Sequence, residues 1–252
     1  MTFPSTSAED FRSHLYALGV RDGDHLTVHA RLISFGLIEG GVATVVKVLS
    51  EAVGPHGTII VPAYTLSPGT LYDRQLTPSE GVGALPEHVR ARAGVLRSRC
   101  PMHNHAGFGA RADVLLVSDG RVSFGPGSDF AVFLDSGFRL LLLGVSITEG
   151  ATFVHHVEAM AGVPYRVWLD LPRQYVGDDG TTAVMLCRYY GRPNPKAIAE
   201  NFDILEPSLI GAGAMTKVAT HFGDSRLVSL RELYQSGREV LRADPYGLVT
   251  TK

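Results

Sequence analysis

The 252-residue chain is poor in several features that would assign it to a special class of protein. It has 2 cysteines, Cys100 and Cys187, at no metal-binding spacing, so a reduced, cytoplasmic protein is expected. No lysine and arginine tract alternates with aromatic residues, which argues against a nucleic-acid interface. The longest apolar run falls short of the roughly 18 residues that cross a bilayer. The first ten residues lack the apolar region of a signal peptide, so no membrane association is expected.

The apolar pattern predicts a single α/β domain over residues 1–252. With 45% hydrophobic and 19% charged residues, the chain can bury a large core. Strands at 24–30 and 57–65 flank a helix that begins at Gly40 and Gly41, an order typical of a right-handed βαβ unit. The run "FRLLLLGVS" at 138–146 predicts a third strand, apolar throughout because helices flank both faces of a mostly parallel central sheet.

Several other segments have weaker patterns. Thr6 and Glu9 have the spacing of a capping box and predict the start of the first helix. The segment 97–109 has neither the strand nor the helix period, which predicts an ordered loop. A further strand is predicted at 182–190. The tail predicts two amphipathic helices, the clearer one at 227–244, which could pack on the sheet or on a second copy of the chain in a homodimer.

The segment "TFVHHVE" at 152–158 follows the most apolar strand and carries two adjacent histidines. On a helix, Thr152, His155 and Glu158 share one face, whereas His156 is rotated by about 100° from His155. A carboxylate beside an imidazole fixes its tautomer and favours its protonated form, as a general base requires. From spacing alone, a structural His–Glu pair on a helix face fits equally well.

Two other patterns suggest ligand binding. His103 and His105, with His155 or Glu158 opposite, could supply three zinc ligands and leave one position open. That set would suit a metal-dependent amidohydrolase. The turn "SFGPGSD" at 123–129 places glycines before a helix start, where free backbone N–H groups could meet an anion.

Five blocks of the chain, in order, resemble the aminoglycoside 3-N-acetyltransferase family. They are "LGVRDGDHLTVHARLISFGLIEGG", "GTIIVPAYT", "RSRCPMHNHAGFGARA", "SFGPGSDFAVFLDSGFRLLLLGV" and "TFVHHVE". The resemblance implies that family's own α/β fold, which differs from that of the GNAT acetyltransferases. It also implies acetyl-CoA as co-substrate, a small-molecule amine such as an aminoglycoside as acceptor, direct acetyl transfer and no metal.

The resemblance also implies roles for individual residues. His155 would be the general base, Glu158 would orient it, and Thr152 would lie near the thioester. Tyr64, Asn104 and Asp170 would face the acceptor. The residues expected to contact coenzyme A are Arg31, Leu32, Ile33, Ser34, Phe35, Arg97, Ser98, Phe124, Gly125, Gly127 and Ser128.

The chain departs from the family pattern around the expected cofactor and acceptor. Ala30 and Arg31 replace a pair of serines, and Cys100 replaces a histidine before proline. Polycationic aminoglycosides need clustered acidic residues. The acids available on the acceptor side, such as Glu80 and Asp170, are diluted by arginines, so a different small amine also fits.

Overall fold

The computed structural model describes residues 3–194, 196 and 198–251. Its α-helices are α1 (Ala8–Leu18), α2 (Gly41–Val53), α3 (Ala84–Arg90), α4 (Asp129–Asp135), α5 (Ile147–Gly150), α6 (Phe153–Ala161), α7 (Glu206–Gly211) and α8 (Leu230–Ala243). Short 3-10 helices span Leu32–Phe35, Ala112–Leu116 and Phe202–Leu205. Within those described ranges, no helix combines the length and apolar character that crossing a membrane requires.

The strands are β1 (Ser5–Thr6), β2 (His25–Ala30), β3 (Leu37–Ile38), β4 (Thr58–Pro62), β5 (Leu96–Arg97), β6 (His105–Gly109), β7 (Arg139–Leu143), β8 (Val167–Val176), β9 (Thr182–Gly191), β10 (Ile198–Glu200), β11 (Met215–Thr220), β12 (Gly223–Ser229) and β13 (Val249–Thr251). Seven of them form the central sheet in the order β11-β12-β7-β2-β4-β6-β5. β2 runs parallel to both its neighbours, β4 and β7, whereas the outer pairings are antiparallel. The predicted α/β class is therefore confirmed, but the mostly parallel arrangement is correct only for the three central strands.

Strand β7 shows how the sequence builds two hydrophobic layers. Successive side chains of a strand point to opposite faces of the sheet. Leu140 and Leu142 accordingly pack in one core, and Leu141 and Leu143 pack in the other. The first core includes α4, α6 and α8 through Phe130, Phe133, Phe153, Val157 and Leu233, and the second includes α1 and α2 through Phe11, Leu15, Val45 and Leu49. Burial on both faces explains the uninterrupted apolar run.

The segment predicted as an ordered loop at 97–109 contains a strand, β6, and the end of another, β5. The two strands pair antiparallel at the sheet edge. Gly107 lies where a Cβ atom would come within 2.5 Å of the Ile59 carbonyl oxygen. With glycines at 107 and 109, only the Ala106 and Phe108 side of β6 carries an apolar signal, so the period of a strand is missing from the sequence.

Other boundaries also differ from the sequence predictions. The capping box of α1 is formed by Ser7 and Asp10, one residue later than predicted, while Gly19 ends the helix with φ of 89°. The predicted strand at 182–190 is β9, which pairs with β8 in a separate two-stranded ribbon. The amphipathic tail helix is confirmed as α8, although it begins at Leu230 because 223–229 form β12.

Candidate active site

Helix α6 brings His155 and Glu158 together as the sequence spacing predicts. The His155 Nδ1 atom lies 2.7 Å from Glu158 Oε2. Glu158 is fully buried, and its other carboxylate oxygen accepts a hydrogen bond of 2.8 Å from the Tyr165 hydroxyl. The His155 side chain remains 21% exposed. The buried carboxylate therefore holds the imidazole in place, while the imidazole itself remains accessible.

Glu158 remains ionised although it is buried. Burial raises its pKa, but the hydrogen bond from His155 and the positive charge of Arg166 act against burial, and the net pKa is lowered. The Arg166 guanidinium Nε lies 2.8 Å from Glu158 Oε2, and its Nη2 lies 3.2 Å from Glu200. An ionised carboxylate can only accept a hydrogen bond, so the contact with Glu158 favours the tautomer with the proton on Nδ1, in which Nε2 of the neutral imidazole has a lone pair that can take up a proton.

His156 occupies a different environment from His155, as the helical rotation predicts. Its side chain is 2% exposed, and its Nδ1 accepts a hydrogen bond of 3.1 Å from the Gly125 backbone N–H. Its ring stacks on Phe153 at 5.5 Å. Burial lowers the pKa of His156 to about 4, so the ring is neutral. The second histidine of the doublet is a packing residue.

A groove crosses the carboxyl ends of the parallel strands β2 and β4. It consists of two adjoining depressions of about 330 and 400 Å³, which share Ala30, Gly81 and Val82. The first depression is lined by residues including His29, Pro62, Tyr64, Glu80, Glu149 and Thr152, and the second by Arg31, Leu32, Ile33, Gly83 and Ala84. Ligands of open α/β sheets bind at such strand ends. Thr152 lines the groove and lies one helical turn before His155, so it connects the groove with the His155–Glu158 pair.

Some residues expected at the cofactor lie on this groove and others do not. Arg31, Leu32 and Ile33 line it, and Arg31 forms a 2.9 Å ion pair with Glu149. Ser34 is fully buried instead and donates a hydrogen bond of 2.9 Å to the Gly144 carbonyl oxygen. Phe35 is buried among the side chains packed on α1. Both residues therefore support the turn at 31–35 from inside.

Arg97 does not offer its charge to a phosphate, contrary to the sequence prediction. Its guanidinium is buried and donates to the carbonyl oxygens of Thr77 and Ala63 and to Asn104 Oδ1. Ser98 is also buried, and its Oγ accepts the His105 backbone N–H. These groups hold three backbone segments together. Arg97 and Ser98 therefore form their hydrogen bonds within the protein and not towards the groove.

The turn at 124–128 is likewise engaged within the protein. The Phe124 ring is fully buried, 5.4 Å from the His155 ring. The Gly125 N–H donates a hydrogen bond to His156 Nδ1. Ser128 Oγ accepts one from the Ala131 N–H and so caps the start of α4. Gly127 is exposed at the tip of the turn. The backbone N–H groups of Gly125 and Ser128 are therefore engaged within the protein, and the Phe124 ring packs beside the candidate base.

The three residues predicted to face an acceptor lie in different places. Tyr64 lines the groove beside Thr152. Asn104 is fully buried and donates a hydrogen bond of 2.8 Å to Thr65 Oγ1. Asp170 is exposed on the β8–β9 ribbon, opposite Arg188, outside the residues that line the groove. Of the three, Tyr64 alone is positioned at the groove.

The three histidines of the metal hypothesis do not converge. The Nδ1 atoms of His103, His105 and His155 contact Ser123 Oγ, Asp129 Oδ2 and Glu158 Oε2, respectively. In the part of the chain that the structure describes, no three His, Cys, Asp or Glu side chains are grouped closely enough to hold a metal ion. The geometry therefore gives no support to the amidohydrolase hypothesis.

Two parts of the site have no individual signal in the sequence. The first is the groove wall formed by Gly81, Val82 and Gly83. The second is the pairing of Arg166 with Glu158. Arg166 lies beyond the end of α6 at Gly162, so no helical spacing relates the two residues.

Buried neutral histidines predict a loss of stability in acid. Burial lowers the pKa of His103 to about 3 and of His156 to about 4, from an ordinary value of 6.5. As the pH falls from about 6.5 towards 4, the unfolded chain binds protons that the folded chain excludes. The free energy of unfolding should therefore fall by up to about 1.4 kcal/mol per pH unit for each histidine. Urea unfolding at several pH values measures this slope. The H103Q variant should reduce the slope by the contribution of one histidine. An unchanged slope in H103Q would contradict the view that His103 is buried in its neutral form.

A groove over parallel strand ends, with a carboxylate-bound histidine beside it, defines an α/β enzyme that can hold an extended ligand and accept a proton. The chain belongs to the aminoglycoside 3-N-acetyltransferase family, since the family model of that description matches residues 27–242. The resemblance seen in the sequence is thereby confirmed.

Relatives and solved structures agree with this assignment. The chain is 34% identical over 185 residues to aminoglycoside N(3)-acetyltransferase VII of Streptomyces paromomycinus, covering 65% of this chain and 64% of that protein. It is 33% identical to aminoglycoside N(3)-acetyltransferase III of Salmonella sp, covering 67% and 66%. The aminoglycoside acetyltransferase AAC(3)-Xa has a TM-score of 0.82 at 26% identity, covering 97% of this chain and 94% of that one. AAC-IIIb, solved in a binary complex with CoASH, has the same fold with a TM-score of 0.84 at 22% identity, covering 95% and 97%.

Proposed function

We propose that this chain transfers an acetyl group from acetyl-CoA to a primary amine of a small molecule, either an aminoglycoside 3-amino group or a related amine. The observation that carries the proposal is the His155–Glu158 pair at 2.7 Å beside a groove at the strand ends. Family membership supports the reaction class. The names of the relatives support aminoglycosides as the first acceptors to test.

The groove is elongated and has both apolar and charged lining residues, which suits an extended thioester. Its outer part is lined by the apolar side chains of Leu32, Ile33 and Val82 with Arg31 at the rim, and its inner part reaches Tyr64 and Thr152. These residues would hold coenzyme A, which supplies the acetyl group as an activated thioester. Arg31 retains an ion pair with Glu149 and is about half exposed, so it could turn towards a phosphate.

The proposed proton path uses His155 and its carboxylate. A protonated amine has no lone pair for attack, so the acceptor reacts as the free amine, and its nitrogen gives up one proton to His155 Nε2 as it bonds to the carbonyl carbon. Glu158 holds Nδ1 and stabilises the imidazolium that results. The same proton can then pass from His155 to the departing thiolate. A positioned base of this kind contributes typically about 10²–10⁴-fold to the rate.

Charge around the site bears on the choice of acceptor. Two acids, one at the groove and one near the ribbon, already have arginine partners: Glu149 pairs with Arg31, and Asp178 contacts Arg74 and Arg99. Glu80 accepts hydrogen bonds from the backbone of the 66–67 loop. This neutralisation weakens attraction for a polycation. An amine with lower positive charge than an aminoglycoside therefore fits the site as well.

The test is an acceptor panel with acetyl-CoA, read by release of free thiol. The panel contains aminoglycosides, amino acids and aminophosphonates, and a thermal-shift measurement with coenzyme A accompanies it. We expect stabilisation by coenzyme A and amine-dependent thiol release with at least one class. A folded protein that coenzyme A does not stabilise and that releases no thiol with any amine would overturn the proposal.

A further inference from the structure

The Tyr64 hydroxyl is a buried polar group beside the Thr152 side chain. Tyr64 is 6% exposed, and among the described residues its hydroxyl makes no hydrogen bond of 3.5 Å or less, although the neighbouring Thr152 side chain acts against the rise of its pKa. The ring is held edge-on by His103 and His105, with centroid distances of 5.0 and 5.5 Å. It follows β4 and lines the groove beside Thr152. The Tyr64 side chain is thus held in position between the groove and Thr152.

Other tyrosines inside the fold behave differently. The hydroxyls of Tyr72, Tyr165 and Tyr190 donate to the Ser98 carbonyl oxygen, the Glu158 carboxylate and the Val163 carbonyl oxygen, respectively. Leaving a buried hydroxyl without a partner destabilises a protein, and native structures rarely do so without a reason. An acceptor atom supplied by a ligand in the groove would provide the missing partner.

The hydroxyl keeps its proton there and can therefore donate a hydrogen bond. Burial raises the pKa of Tyr64 well above its ordinary value of 10. The phenol therefore keeps its proton at any pH at which the protein works. A neutral O–H donor in a site sheltered from water stabilises an oxygen atom on which negative charge develops.

We propose that Tyr64 donates its hydroxyl hydrogen bond to the carbonyl oxygen of the bound acyl thioester, making it a catalytic residue. This role rests on the proposed acetyl transfer. As the amine nitrogen bonds to the carbonyl carbon, the carbonyl electron pair moves to oxygen, and Tyr64 stabilises that charge while keeping its own proton. The electron pair on oxygen then re-forms the C=O bond as the C–S bond breaks, the C–S electron pair leaves with sulfur, and the proton that the attacking nitrogen gave to His155 passes to the thiolate.

The test compares two buried tyrosines that differ in one respect. Y64F removes a hydroxyl that makes no hydrogen bond of 3.5 Å or less to a described residue, whereas Y72F removes one that donates to the Ser98 carbonyl oxygen. The ligands are coenzyme A and acetonyl-coenzyme A, a thioether ketone that keeps the carbonyl oxygen but cannot transfer the acyl group. Affinity for both, the Tm of the free protein and kcat are measured for wild type and both variants.

We expect Y64F to bind coenzyme A like wild type and acetonyl-coenzyme A about 5–10-fold more weakly. Its kcat should fall roughly 10²–10³-fold, and its Tm should be equal to or higher than that of wild type. Y72F should lower Tm and keep the wild-type ratio of the two affinities. A Y64F protein with the wild-type ratio and kcat would overturn the role of Tyr64. Wild-type protein that binds neither ligand would overturn the proposed function, which is a distinguishable result.

Discussion

Replacing His155 by alanine or glutamine is expected to abolish transfer while coenzyme A still binds. In the proposed mechanism the imidazole, held by Glu158 at 2.7 Å, is the proton acceptor, and neither replacement can take up a proton from the amine. Loss of a general base should lower kcat by about 10²–10⁴-fold. Because His155 does not line the groove, binding of coenzyme A should stay close to wild type. Thiol release and a titration with coenzyme A measure the two effects.

The adjacent histidine supplies the control. His156 is buried and accepts the Gly125 N–H, so H156Q should lower the stability of the fold but leave the folded fraction able to catalyse. Turnover is therefore compared per folded molecule. Near-normal turnover in H155A or H155Q would rule out His155 as the base. A loss of kcat in H156Q as large as that in H155Q would remove the distinction between the two histidines.

Replacing Arg166 by methionine is expected to be the most destabilising change among the charged residues discussed. Arg166 and Glu158 side chains are 2% and 0% exposed, so the substitution leaves a buried carboxylate without its cationic partner. Breaking such a pair from one side typically reduces the free energy of unfolding by about 3–5 kcal/mol. Activity should fall as well, since Glu158 would be less strongly held in its ionised form. Urea unfolding and the transfer assay measure both.

A double replacement separates stability from function. R166M combined with E158L removes both buried charges and should recover much of the stability lost in R166M. Activity should not recover, because His155 would lack the carboxylate that orients it. R12M tests an exposed arginine that pairs with Glu9 and Glu51, and its destabilising effect should be much smaller than that of R166M. Equal losses in R166M and R12M would contradict the structural account of the buried pair.

The candidate base could be read from the sequence because its geometry is local. Helical spacing alone separates His155 from His156 and places His155 within reach of Glu158, three residues later. The apolar run of β7 similarly predicts a strand buried on both faces. The family resemblance implied roles for these residues, but it also implied cofactor contacts for Arg97 and Ser98, which are buried and bonded within the fold.

Local patterns thus determined the α/β class, the central strands and the His155–Glu158 pair. The tertiary structure decided the antiparallel outer strands, the groove wall at 81–83, the pairing of Arg166 with Glu158 and the unsatisfied Tyr64 hydroxyl. The physical reason is the range of the interactions involved. Side-chain spacing on one helix or strand follows from backbone geometry, whereas the partner of a buried charge or hydroxyl depends on which distant segments the fold brings together.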